Sequence, residues 1–311
     1  MAVRFRGEPP PGSAMIARVP HSAAGLLLPA LLLLALSALV AVQTGALRLP
    51  ALSGASFAPE LLTIAPRAFW YRDSGDYLSE GVPVDAPIVE RTPAHPLEIM
   101  KYQVGVTDYA RCVDAGACKP AEPRHKVLGN VPVTGVSFTD AEAYARWLTG
   151  LTGQNWRLPT IEEWAFVAGS RAVDSGLGVA TDGANPAERW LAFYAREAAL
   201  GTDASAAPEP FGTFGLNEFG VADLSGSVWE WTATCNSRTR LDANGGVISH
   251  IEACGVRFLE GRHRTPMSSF IRDGRSGGCS VQAPPDNLGF RLVRDRPWHA
   301  AIVDVMRGLF G

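Results

Sequence analysis

An unbroken apolar run, Ala23 to Val42, divides this chain before anything else in it can be read. It holds no charged residue and, at about 20 residues, has the length a helix needs to cross a bilayer. Arg4, Arg6 and Arg18 precede it, and the next basic residue is Arg48. Positive charge on the N-terminal side predicts that this end stays in the cytoplasm and that everything after the run is exported. A cleaved signal peptide is the alternative, but the run is long for a signal core and ends in no clear small-x-small site. The chain therefore reads as a cytoplasmic tail over 1–22, an uncleaved transmembrane anchor over 23–42 and a linker over 43–60. A folded domain over 61–297 and a C-terminal tail over 298–311 complete it.

The exported part is long enough for one large domain or two small ones. With 47% hydrophobic and 19% charged residues the chain can bury a core. A net charge of -3 gives no bulk basicity, so nucleic acid is not an expected partner. The 32 glycines and 23 prolines favour a loop-rich α+β fold over a helical bundle. All five cysteines follow the anchor, where disulfides are permitted. Cys112 and Cys118 sit in Cys-Val-Asp-Ala-Gly-Ala-Cys, where Gly116 allows a tight loop, and are one natural pair. Cys235 and Cys254 flank a polar stretch read as a loop, Asn236 to Ala253, and are the second, leaving Cys279 free.

Strands are expected over Leu61–Tyr71 and Ile99–Val106, with loop from Asp73 through Pro87. Thr107 or Asp108 is the expected cap of a first helix that buries Tyr109, Cys112 and Val113. Thr139 with Glu142 three residues on forms a capping box for a helix to about Leu148. Thr160 with Glu163 forms another, with Trp164 and Val167 inward, and Arg157 before it is expected to pair with an acid. Gly176–Ala184 reads as loop and Ala187–Leu200 as helix, from the spacing of Trp190, Leu191, Tyr194 and Ala198.

Gly220 to Trp231 reads Gly-Val-Ala-Asp-Leu-Ser-Gly-Ser-Val-Trp-Glu-Trp. Asp223 and Glu230 flank a turn-forming glycine, and carboxylates with backbone carbonyls are what a hard cation such as Ca²⁺ requires. On these residues alone, a turn with solvated acids over a buried Trp serves equally well. Upstream lie Pro132-Val-Thr-Gly-Val-Ser-Phe-Thr-Asp-Ala and Arg157-Leu-Pro-Thr-Ile-Glu-Glu-Trp, and downstream Asn287-Leu-Gly-Phe-Arg. In this order the blocks resemble the formylglycine-generating enzyme (sulfatase-modifying factor) family, over roughly Leu61 to Arg294. The resemblance implies that family's fold, a variant C-type lectin fold with much irregular backbone. It also implies a structural Ca²⁺ held by Asp223, Gly226, Val228 and Glu230. The family's W-G-x motif is absent here, and Ala187–Leu200 stands in its place.

Oxidases of the family turn a cysteine of a client sulfatase into formylglycine, using a Cys-x4-Cys pair that holds copper, as soft thiolates suit Cu(I). No such pair exists between Cys254 and Gly289. Counted back from Asn287-Leu-Gly289, its positions fall on His263 and Ser268; counted forward from Glu260-Gly261, on Pro266 and Ile271. A branch that makes sulfoxides uses histidine-held iron, but among the six histidines there is no H-x3-H-x-E stretch. Arg262-His-Arg264, Arg272 and Arg275 read as a loop of solvated basic residues or, alternatively, as a polar recognition surface. His263, Ser268 and Cys279 are the remaining catalytic candidates, and His263, Met267 and Cys279 form a soft set suited to copper. The resemblance implies an accessory or maturation factor for an exported client. Glu260-Gly-Arg-His-Arg264 and Pro284-Pro-Asp-Asn-Leu-Gly-Phe-Arg291 are most similar to members paired with copper nitrite reductases. The alternatives are a copper or iron oxidoreductase centred on His263 and Cys279, and a lectin-like binding module; fold alone does not choose between them.

Overall fold

The computed structural model describes residues 31–34, 36–37, 40, 58–179, 186–199, 207–276 and 287–295. The chain divides into two units, Phe57–Trp298 and a second made of Met1–Ser56 with His299–Gly311. In the second unit Leu31–Leu34, Leu36, Ser37 and Val40 are helical and exposed. No helix among the described residues is long and apolar enough to cross a membrane. The rest of the expected anchor, and Cys279, lie outside the described residues.

The large unit is α+β. Its strands are β1 (Leu61–Ile64), β2 (Phe69–Arg72), β3 (Asp76–Ser79), β4 (Val82–Val84), β5 (Ile88–Arg91), β6 (Leu97–Met100) and β7 (Trp156–Arg157). They continue with β8 (Trp229–Leu241), β9 (Val247–Glu260), β10 (Thr265–Ser268), β11 (Leu288–Gly289) and β12 (Val293–Arg294). The helices are α1 (Val106–Asp114), α2 (Phe138–Thr152), α3 (Ile161–Ala168) and α4 (Pro186–Ala199). One sheet runs β1-β6-β12-β7; a second runs β10-β9-β8-β3-β4 with β11 added to β8; β2 and β5 pair alone.

Several expected elements shift. The strand read over Leu61–Tyr71 is two strands, parted at Ala65-Pro66, where proline has no N–H to give a ladder. The stretch read as loop before Pro87 contains β3 and β4, joined by a tight turn at Glu80-Gly81 with both residues at positive φ. β6 ends at Met100, short of Val106, and Gly105 caps α1 in place of Thr107 or Asp108. The polar stretch from Asn236 to Ala253 is no loop. It forms most of the β8–β9 hairpin, with Ser237 and Thr239 buried and Arg238 and Arg240 exposed in strict alternation.

Both expected disulfides form, Cys112–Cys118 and Cys235–Cys254. The Thr160–Glu163 capping box forms as read, and Arg157 pairs with Glu163 and Asp295. The α2 box sits two residues earlier, on Ser137 and Asp140, and the helix runs on to Thr152. Starting at Phe138 buries that ring and Asp140 while Thr139 faces outward. Asp140 then accepts from the Ser137 N–H at 2.9 Å and pairs bidentately with Arg272 at 2.7 Å to each oxygen. Burial alone would raise the Asp140 carboxyl; Arg272 and Ser137 outweigh it and hold it below the usual carboxylate range.

α2 packs its inner face on the strand ends, with Tyr144 stacked on Tyr109 at 5.8 Å and edge-on to Phe290 at 5.5 Å. A second cluster joins α3 to β1, β2 and β6 through Trp164, Phe166, Val167, Phe69 and Ile99. Ser137→Ala removes the cap of α2 and one partner of Asp140. It should cost about 1–2 kcal/mol, read as a lower denaturation midpoint at unchanged slope; an unchanged midpoint would place the helix start elsewhere.

Candidate functional site

Glu230, in the second position of β8, is fully buried, as is Arg291, which follows β11. β11 pairs in parallel with Trp229 and Glu230, and that register delivers Arg291 to the carboxylate. Arg291 Nε donates to Glu230 Oε2 at 2.6 Å and Nη2 to Oε1 at 2.7 Å. Its remaining donors reach the carbonyls of Met100, Lys101 and Ala222. Gln103 Nε2 donates to Glu230 Oε1 at 2.8 Å and Trp164 Nε1 to Oε2 at 3.0 Å. Five guanidinium hydrogens and four carboxylate lone pairs are thus matched, the condition under which a buried ion pair is tolerated.

Asp223 is buried with φ 57, a left-handed conformation that Asp adopts more readily than most residues. Its carboxylate accepts from the Gly212 N–H at 2.6 Å and the Phe214 N–H at 2.9 Å, which fastens the 210–215 loop to the turn. Gly226 closes that turn where a Cβ would lie 2.6 Å from the Phe214 ring. Gly289 lets β11 pass 2.7 Å from the Val133 carbonyl, measured to an added Cβ.

The four residues expected to hold Ca²⁺ run from the turn at Asp223 into the start of β8, and Gln103 Nε2 bridges Glu230 Oε1 and the Asp223 carbonyl at 2.8 and 3.3 Å. The Gly226 carbonyl accepts from Arg262 Nε at 3.2 Å. Calcium takes several anionic or carbonyl oxygens. Here the Glu230 charge is compensated by Arg291, its lone pairs are filled, and Asp223 is spent on backbone N–H groups. As placed, these residues do not fit a divalent cation.

His263 lies in the turn between β9 and β10, 6% exposed, its ring edge-on to Trp229 at 5.4 Å between centroids. Ser268 ends β10, opposite Val256 on β9. Met267 packs in the main core with Trp229, Trp231 and Leu259. The basic segment around His263 is not the solvated loop its sequence suggests. Arg264 Nε donates to buried Glu260 at 2.6 Å and Nη1 to the Arg72 and Asp73 carbonyls. Burial pushes the Glu260 carboxyl up, Arg264 pulls it back, and Glu230, opposite it on the β8–β9 ladder, pushes it up again. Arg272 is committed to Asp140 and Glu122. Beside His263, the indole N–H of Trp229 and the hydroxyl of Thr265 are buried without a hydrogen-bond partner among the described residues. Arg291 escaped the sequence reading although a signal was present: an arginine within Leu-Gly-Phe-Arg-Leu-Val can be buried only against an acid. Gln103 carries no such signal.

A family model described as the sulfatase-modifying factor enzyme 1-like domain matches residues 55–296. The chain is 31% identical to a formylglycine-generating enzyme of Streptomyces coelicolor over 188 residues, 57% of each chain. It is 29% identical to a bovine protein named inactive C-alpha-formylglycine-generating enzyme 2, over 52% of this chain and 50% of that one. A shorter match, 34% identical, reaches a hercynine oxygenase of Mycolicibacterium smegmatis, over 35% of this chain and 23% of that one. The chain thus spans little more than half the length, at most, of these curated relatives. Among solved structures, PvdO from Pseudomonas aeruginosa is similar in fold, with a TM-score of 0.50 and 20% identity, over 78% of this chain and 96% of that one.

Arg291→Met leaves Glu230 buried and uncompensated and should destabilise the domain by about 3–5 kcal/mol, while adding Glu230→Gln should recover part of that loss. The wild-type melting temperature should not respond to chelator. A chelator-induced drop that Glu230→Ala abolishes would show calcium displacing the Arg291 pair.

Proposed function

Because this chain belongs to the sulfatase-modifying factor enzyme 1-like domain family, we propose that it is a membrane-anchored, extracytoplasmic member without formylglycine chemistry. In this reading it serves as an accessory or maturation factor for an exported client, and a copper nitrite reductase is the client to which the resemblance points. The observation that carries the reading is the state of the cysteines. Four of the five are bridged in two pairs, so Cys279 has no second free thiol with which to hold Cu(I). The positions counted for the thiol pair hold His263 and Ser268 in one register and Pro266 and Ile271 in the other, and neither restores it. A relative named as an inactive formylglycine-generating enzyme supports the view that this fold persists without that activity.

A copper or iron oxidoreductase centred on His263, Met267 and Cys279 draws less support. Met267 is part of the core, and His263 is packed against Trp229. Calcium is not part of the proposal, because Glu230 is already paired. The export of the domain rests on the Arg4, Arg6 and Arg18 asymmetry about the apolar run, and the two disulfides agree with an oxidising compartment.

Two measurements test this. The purified protein, supplied with Cu(I) and oxygen, should leave a Cys-x-Pro-x-Arg peptide unconverted, and it should carry no stoichiometric copper or iron. Aldehyde formation or a full complement of either metal would make it an enzyme. A reporter fused after Arg294 that works only when exported should be active, and one that works only in the cytoplasm should be silent; the reverse pattern would remove the anchor.

A further inference from the structure

The two disulfides differ in ways that bear on reactivity. Cys112 and Cys118 are both buried in the core, whereas Cys254 is exposed and Cys235 half-buried. β10 covers β9 only from Val256 to Thr265's partner, Leu259, so among the described residues no strand lies outside β9 at Cys254. Arg257, the ladder partner of Cys235, places Nη1 3.0 Å from Cys235 Sγ. That guanidinium is held in place, since Nη1 also donates to the Ala233 carbonyl and the group lies over the Phe138 ring at 4.5 Å. The Glu252 carboxylate is within 4.8 Å of both sulfurs and would oppose an anion; the Arg257 charge offsets it on the Cys235 side.

Thiol–disulfide exchange runs fastest when the attacked sulfur is accessible and the departing sulfur is stabilised as thiolate. A neighbouring guanidinium provides that stabilisation. We propose that Cys235–Cys254 is an exchange site for an external thiol, beyond the accessory role inferred above and independent of it. An incoming thiolate attacks Cys254 Sγ. A new sulfur–sulfur bond forms there as the Cys235–Cys254 bond breaks, and the electron pair leaves on Cys235 as a thiolate held by Arg257. A second thiol of the same partner, or a second thiol molecule, then attacks the incoming sulfur and releases Cys254. Two electrons pass from the thiols to the bridge, which takes up two protons, and the thiols depart as a disulfide.

The full chain, folded and oxidised, is incubated with reduced glutathione in one arm and a Cys-x-x-Cys peptide in the other, quenched in acid, alkylated and mapped. The expected product carries the thiol adduct on Cys254 and the alkyl label on Cys235, with Cys112–Cys118 intact; the faster arm identifies a small or a dithiol partner. An adduct on Cys235, earlier opening of Cys112–Cys118, or no opening short of unfolding overturns the proposal. Arg257→Gln should slow opening several-fold, with Arg238→Gln, on the exposed side of the same hairpin, as the unaffected control. Equal rates for wild type and Arg257→Gln overturn it too, and the wild-type map stands whether or not that variant folds.

Discussion

The fold depends on one buried ion pair. Glu230 and Arg291 are at most 1% exposed, and around them converge the start of β8, the segment after β11, the end of β6, the turn before β8 and the inner face of α3. Two opposite charges so deep in the protein have a desolvation cost that only complete hydrogen bonding offsets. Completeness requires five separate segments to be in place at once. The carbonyls of Met100, Lys101 and Ala222, the amide of Gln103 and the indole of Trp164 come from three chain regions spread over more than a hundred residues. A misfolded arrangement that buries either charge without the other loses far more than a hydrophobic mismatch would. This supplies specificity in a domain whose strands, apart from β8 and β9, are four residues or shorter.

Much of this was legible in the sequence where the signal is local. Thr160 and Glu163 form their capping box because both partners lie within one turn, and the cysteine pairs form because each closes across a turn or a strand pair. The α2 cap moved to Ser137 because a non-local partner decides it: Asp140, reached by Arg272 from 132 residues away, must be inside. The β8–β9 hairpin escaped because its strands are polar. Ser237 and Thr239 are buried by β3 alongside, so the alternation is there, but without apolar residues to announce it.

The same distinction governs the site. In sequence Asp223 and Glu230 read as ligands of one cation, yet their use follows from partners that spacing does not name. A carboxylate reads identically in sequence whether a cation or a guanidinium neutralises it. Arg291 was the missing term, and its burial between Phe290 and Leu292, both also fully buried, is what commits it to Glu230.

His263 and Ser268 stand apart from the buried ion pair. His263 and Ser268 lie on the β9–β10 side of the second sheet, and the Glu230–Arg291 pair lies where β8 meets β11. The hydrogen bonds described for Glu230 and Arg291 involve other segments than 263–268. An imidazole and a hydroxyl at these positions are therefore compatible with the ion pair, and His263 is absorbed by packing against Trp229. The reverse does not hold. Glu230 sits between Trp229, which contacts His263, and Trp231, whose indole N–H donates to the Val136 carbonyl at 2.8 Å. A change at Glu230 would shift both tryptophans and with them the wall behind His263. The β9–β10 turn thus rests on the scaffold around Glu230 more than that scaffold rests on the turn.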